Sequence, residues 1–179
     1  MSDIKLRVFI AIPLPADLKA HLAELHRPIP GLKWYTDLTL HLTLRFIGSI
    51  EGVRVPVIRE YLAQVRVPGF DMRLKGLGLF ERPRRVVLWV GLDKSQMLEQ
   101  LKHSIDLALQ QAGLPLDDQP YRPHITLGRA DEGARAALNA LVDSNQTFSL
   151  EWRNINQFIL YQSELCPGGA QHRPLAVYQ

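Results

Sequence analysis

The chain has 179 residues, 46% of them hydrophobic, and 21 Lys and Arg against 18 Asp and Glu give a net charge of +3. This is the balance of one ordinary globular domain or two small lobes, and it excludes a disordered polycation, since no basic run reaches the roughly five or six residues of a nucleic-acid tail. A single cysteine, Cys166, excludes an internal disulfide and a zinc site of thiolate ligands.

In chain order, "LRVFIAIPL" is rich in β-branched and aromatic residues, so a strand is expected over 6–12, stopped by Pro13 and Pro15. Leu18, Leu22 and Leu25 then recur at helical spacing, and this helix is expected to end near Arg27. A strand follows over 38–47, ended by Gly48. The 53–65 stretch reads as a second helix, with Pro56 restricting its start.

Phe70, Met72 and Leu74 alternate as in a half-buried strand, and Gly76 and Gly78 suggest a bulge or bend. "RRVVLWVGL" is another strand. Asp93, with Gln96 three residues on, reads as the N-cap of a helix whose stripe is Leu101, Ile105, Ala108 and Ala112. A strand over 121–129, a short helix over 134–142 and strands over 148–152, 155–161 and 175–178 complete the chain. Strands and helices mix without strict alternation, which predicts α+β with largely antiparallel sheets.

One pattern occurs twice. "HLTLRFIG" begins at His41 and "HITLGR" at His124, each inside an expected strand and each after a helix. Residues two apart on a strand share a face, so His41 and Thr43 point together, as do His124 and Thr126. A lone His-x-Thr on a strand says little, but two copies point to a shared two-histidine site.

Two imidazoles and two hydroxyls suit a phosphodiester. A neutral imidazole takes a proton from water and a protonated one gives a proton to the leaving oxygen. The hydroxyls donate to phosphate oxygens. The residues alone do not say which histidine is acid and which is base, and no metal or cofactor is required.

Arg129 lies five residues after His124 and Phe46 five after His41. Arg129 is a candidate phosphate contact, although its odd offset aims it at the opposite face unless the chain bends at Gly128. Phe46 is a candidate base-stacking aromatic at the rim, or core. His21, His26 and His103 read as surface positions. His172 falls in the turn-rich "PGGAQHRP". The cluster Arg82, Arg84 and Arg85 is the first choice for an RNA-backbone contact.

These motifs resemble those of the two-histidine phosphoesterases, within them the bacterial and archaeal RNA 2′,3′-cyclic phosphodiesterases, also called LigT-like or 2′-5′ RNA ligases. "RVFIAIPLP" and "LYQSELCPGGAQHRPL" resemble that group's opening strand and closing hairpin. The resemblance implies a bilobal fold with a pseudo-twofold axis, two mainly antiparallel sheets with helices outside, and the active site in a cleft between the lobes.

It also implies hydrolysis of an RNA 2′,3′-cyclic phosphate to a 2′-phosphomonoester, or the reverse as 2′-5′ ligation. His41 would donate the proton and His124 would act as base. Thr43 and Thr126 would bind phosphate. The chain departs from the group at "TDLTLH", where relatives have an acidic residue and Asn before Leu-His, and at His172, where they commonly have an aromatic.

The substrate would be an RNA end, such as a tRNA half. The alternatives are a small cyclic nucleotide as substrate, or a module that binds an RNA end without turnover. With no signal-peptide pattern and no apolar run of ~18 residues, a cytoplasmic monomer is expected.

Overall fold

A computed structural model describes residues 4–36, 39–117, 119–167 and 169–179. The elements are β1 (Lys5–Pro13), α1 (Ala16–Ala23), β2 (Leu32–Trp34), β3 (His41–Glu51), α2 (Val55–Leu62), β4 (Phe70–Arg82), β5 (Arg85–Leu92), α3 (Gln96–Gln111), β6 (His124–Ala130), α4 (Arg135–Ser144), β7 (Ser149–Ile155), β8 (Phe158–Cys166) and β9 (Gly169–Tyr178). The expected α+β class with antiparallel pairing is observed.

The two expected sheets are halves of one. The strand order is β7-β4-β5-β6-β3-β1-β8-β9, with β2 pairing β6 separately. Each motif strand is the innermost of four. The order β9-β8-β1-β3 is mirrored by β7-β4-β5-β6. In both halves a strand and a helix precede the motif strand (β1-α1 before β3, β5-α3 before β6), and a 3-10 turn and a helix follow it.

The sheet has two unlike faces. Val8, Ile10 and Ile12 of β1 and Val86, Leu88 and Val90 of β5 share one core with apolar residues of all four helices. The alternate residues, Phe9 and Ala11 on β1 and Val87, Trp89 and Gly91 on β5, face the other way, as the two-residue period of a strand requires.

Several boundaries differ from expectation. The start of the 38–47 strand, Leu38, lies outside the described residues. β3 does not end at Gly48 but runs to Glu51, because Gly48 adopts φ +86° beside a register shift and carries the strand through it. α1 stops at Ala23, and the chain turns while Leu25 stays buried. The cap of α3 is Ser95, whose Oγ accepts from the Leu98 N–H at 3.2 Å, and not Asp93, which pairs with Lys75 at 3.2 Å.

β8 begins three residues later than expected and β9 six earlier, forming one long hairpin from Phe158 to Tyr178. β2 was not foreseen, since three residues are too few to show alternation. The bulge expected near Gly76 is present, with φ +65° and a register shift between Lys75 and Leu77.

Candidate active site

The two motifs begin the two innermost strands. Leu42 pairs Ile125 across the centre of the sheet. Extending that antiparallel register by one residue each way sets His41 across from Thr126 and Thr43 across from His124. The strands are thus neighbours, and the candidate residues of both halves lie along their seam. All four side chains are half-buried, between the fully buried Leu42 and Leu44 on one strand and Ile125 and Leu127 on the other.

Both motifs carry a β-bulge at the same residue. On β3, Ile10 pairs Arg45 and Ala11 pairs Thr43, which leaves Leu44 as the extra residue. On β6, Leu88 pairs Gly128 and Trp89 pairs Thr126, which leaves Leu127 extra. The leucine of His-x-Thr-Leu is therefore the bulge in each copy, and a bulge reverses the facing of every residue after it. Phe46 comes opposite Phe9, on the face of His41 and Thr43. Arg129 comes opposite Val87, on the face of His124 and Thr126. The odd offset of the candidate Arg129 is thus compensated at Leu127, one residue earlier than Gly128.

Phe46 is 64% exposed, which fits a rim and not a core. The Arg129 guanidinium lies over the Tyr35 ring, 5.6 Å from its centroid. Arg82, Arg84 and Arg85 form the exposed β4–β5 hairpin turn, with Arg84 at φ +62°. They lie at the end of the sheet where Arg129 lies, away from the motif histidines.

The imidazoles are held alike. His41 Nδ1–H donates to the Thr39 carbonyl at 2.7 Å, and His124 Nδ1–H donates to the Arg122 carbonyl at 2.7 Å. A carbonyl only accepts, so each Nδ1 carries the proton and each Nε2 is left for proton transfer. Burial, then the neighbouring His172, push His41 down from 6.5 to about 4, against the Thr39 carbonyl and with a further push from His124. Burial thus favours the neutral form of His41 near pH 7.

Aromatic rings surround both histidines. Phe9 lies 5.0 Å from His41 and stacks on Tyr161 at 5.2 Å. Phe80 meets His124 edge-on at 4.8 Å, and Trp89 lies 5.1 Å from Phe80. His172 meets His41 edge-on at 5.2 Å. None of these five neighbours was singled out as a site residue in the sequence. They reach the site only through strand pairing, so the available signal was their alternation on strands that turn out to adjoin the motifs.

Behind the seam, Arg45 is buried on the core side. Its Nη2 donates to the Pro115 carbonyl at 2.7 Å, and Nη1 lies 3.7 Å from Asp106 and 3.3 Å from Asp117. Lys102 pairs with the same Asp106. The Tyr121 hydroxyl donates to the Thr43 carbonyl at 3.0 Å. These contacts tie β3 to α3 and to the segment that leads into the second motif. Among the described residues, no three or more His, Cys, Asp or Glu side chains converge as a metal site would need.

The model of the 2′-5′ RNA ligase superfamily matches residues 14–163, which include both motifs. The chain belongs to this superfamily. Among relatives, it is 31% identical to an RNA 2′,3′-cyclic phosphodiesterase of Thermus thermophilus, over 92% of this chain and 85% of that protein. A Thermotoga maritima protein of the same name is 28% identical, over 95% and 93%. Against a Geobacillus stearothermophilus protein of that name the match spans only 52% of the relative's length, at 27% identity. The crystal structure of E. coli LigT complexed with 3′-AMP superposes with a TM-score of 0.75 at 27% identity, covering 97% of each chain. The superfamily match thus includes the doubled motif, and the structural likeness extends to the mirrored halves around it.

Proposed function

We propose that this superfamily member is a metal-independent RNA 2′,3′-cyclic phosphodiesterase that uses His41 and His124 as one acid–base pair. The observation that carries the reading is the doubled geometry. Two imidazoles from mirrored strands sit beside one seam, each with Nδ1 engaged and Nε2 free, each directly across from a threonine of the other strand. The names of the relatives support the substrate.

In the reaction, His124 Nε2 takes a proton from water as the oxygen attacks phosphorus. The bond from phosphorus to the 3′ oxygen breaks, and that oxygen takes the proton from His41 Nε2. A 2′-phosphomonoester is left, and solvent restores both histidines. Thr43 and Thr126 donate to the non-bridging oxygens, where charge gathers. Arg129 sits on the same face and lends its charge to the phosphate or to the adjoining backbone. Phe46 takes a base at the rim. His41 is neutral in the empty site, so the anionic phosphate must draw a proton onto it. An acid loaded this way is strong once loaded.

The neutral His41 also favours a second reading, in which the roles are exchanged and the 2′ oxygen leaves. The product decides between them. Purified protein, with EDTA present, is given an oligoribonucleotide ending in a 2′,3′-cyclic phosphate. A 2′-phosphate supports the first assignment and a 3′-phosphate the second. An end left unreacted both with and without EDTA refutes both and favours a small cyclic nucleotide or a binding module, and activity seen only without EDTA refutes metal independence. The lone cysteine supports a reducing, cytoplasmic setting, and tRNA halves and a monomeric state complete the reading.

A further inference from the structure

His172 stands on β9 opposite Ser163, on the edge of the sheet. Its ring meets His41 edge-on at 5.2 Å and 82°, and Phe9 edge-on at 4.9 Å and 78°. Its Nδ1 is buried and has no hydrogen-bond partner among the described residues. The chemistry proposed above gives it no task.

We propose that His172 is a positioning residue that acts through His41, covering that imidazole and competing with it for a single proton. The inference rests on the reading of His41 as a proton-transfer group. Two rings in contact repel when both are charged, so they titrate as a pair that holds one proton before it holds two. They are unequally equipped to hold it. The Nδ1–H of His41 already meets the Thr39 carbonyl, which leaves its Nε2–H for an anion. A charged His172 would bury an Nδ1–H with no acceptor, at the cost of an unmet donor. An anion at the seam therefore draws the shared proton to His41.

Among the described residues, few groups face the pair. His124 faces His41 from β6 and lowers it further. Tyr161, from β8, lies 6.4 Å from His172, and burial pushes its hydroxyl up, so it stays neutral. Phe9, from β1, lies against both rings and carries no charge. Burial lowers His172 as it lowers His41. The empty site thus resists charge on both rings, and the first anion to arrive decides where the proton goes.

The test follows the His41 ring resonance by proton–carbon NMR against pH, in the wild type, His172→Phe and His172→Gln. Phe keeps an aromatic ring against Phe9, and Gln keeps a polar group that cannot charge. A midpoint for His41 raised by about one pH unit in either variant is expected. An unchanged midpoint in both overturns the proposal. The pH–rate profile on an RNA 2′,3′-cyclic end separates this from the reading beneath it. If the His41 midpoint rises and the descending limb rises with it, both stand. If the midpoint rises and the limb stays, His172 acts as proposed and His41 is not the acid.

Discussion

At the scale of single residues, the threonines and His41 make the sharpest claims. Thr43 lies across the seam from His124, and Thr126 from His41, and on the proposed reading their hydroxyls are the neutral donors to the phosphate. Thr43→Ala or Thr126→Ala is expected to lower kcat by about 100- to 1,000-fold, the size of one lost oxyanion donor. Steady-state kinetics on a 2′,3′-cyclic end check this, and a change confined to KM would refute it.

His41 also links pH to stability. Its folded value near 4 lies below the ordinary 6.5. The unfolded chain therefore takes up a proton that the fold refuses. Stability is full above about pH 6.5 and is lost as pH falls from there towards 4. His41→Asn removes that part of the loss, so its Tm drops less than the wild type's between pH 7.5 and 5. Equal drops would contradict the burial argument.

At the scale of elements, two features support the seam from outside it. On β4, a methyl group added to Gly78 would come within 2.2 Å of the Trp89 ring. Trp89 and Phe80 lie beside His124. Gly78→Ala is therefore expected to push Trp89 aside, to cost about 1–3 kcal/mol in urea unfolding as overpacking does, and to lower kcat. A variant of unchanged stability would show that Trp89 has room to move.

On β3, Arg45→Met leaves Asp106 with Lys102 but removes the guanidinium between α3 and the Pro115 carbonyl. A loss of about 1–3 kcal/mol is expected, since the Pro115 carbonyl loses its donor while Asp106 keeps Lys102. A loss below about 1 kcal/mol would place this pair with the surface ion pairs. The cap of α3 shows why such detail escapes the sequence. Asp93 and Ser95 are both good caps, and Lys75, brought over from β4 by the β4–β5 hairpin, takes Asp93 out of contention.

At the scale of the whole molecule, the repeat was legible and its geometry was not. His41, Thr43, His124 and Thr126 share a face by alternation alone, and the class of the fold follows from the mixture of strands and helices. The bulges at Leu44 and Leu127 left no mark in the pattern, because a leucine looks the same in a ladder and beside it. They decide where Phe46 and Arg129 point. His172 was hidden for another reason: "PGGAQHRP" reads as turn, yet most of it is strand in a hairpin whose pairing with β8 holds a proline-containing edge. The doubled four-residue pattern is thus a strand, a bulge and two polar groups, used once in each half on strands that adjoin at the seam.

The central claim is that the two copies work as a single device, and double-variant kinetics test it most directly. Single-turnover rates on an RNA 2′,3′-cyclic end are compared for the wild type, His41→Ala, His124→Ala and the double variant. Each single change is expected to cost about 100- to 10,000-fold. The double variant is expected to lose at most about tenfold more than the worse single one, because groups that act as a unit are not additive. Losses that multiply, or a double variant as active as the wild type, would contradict the account.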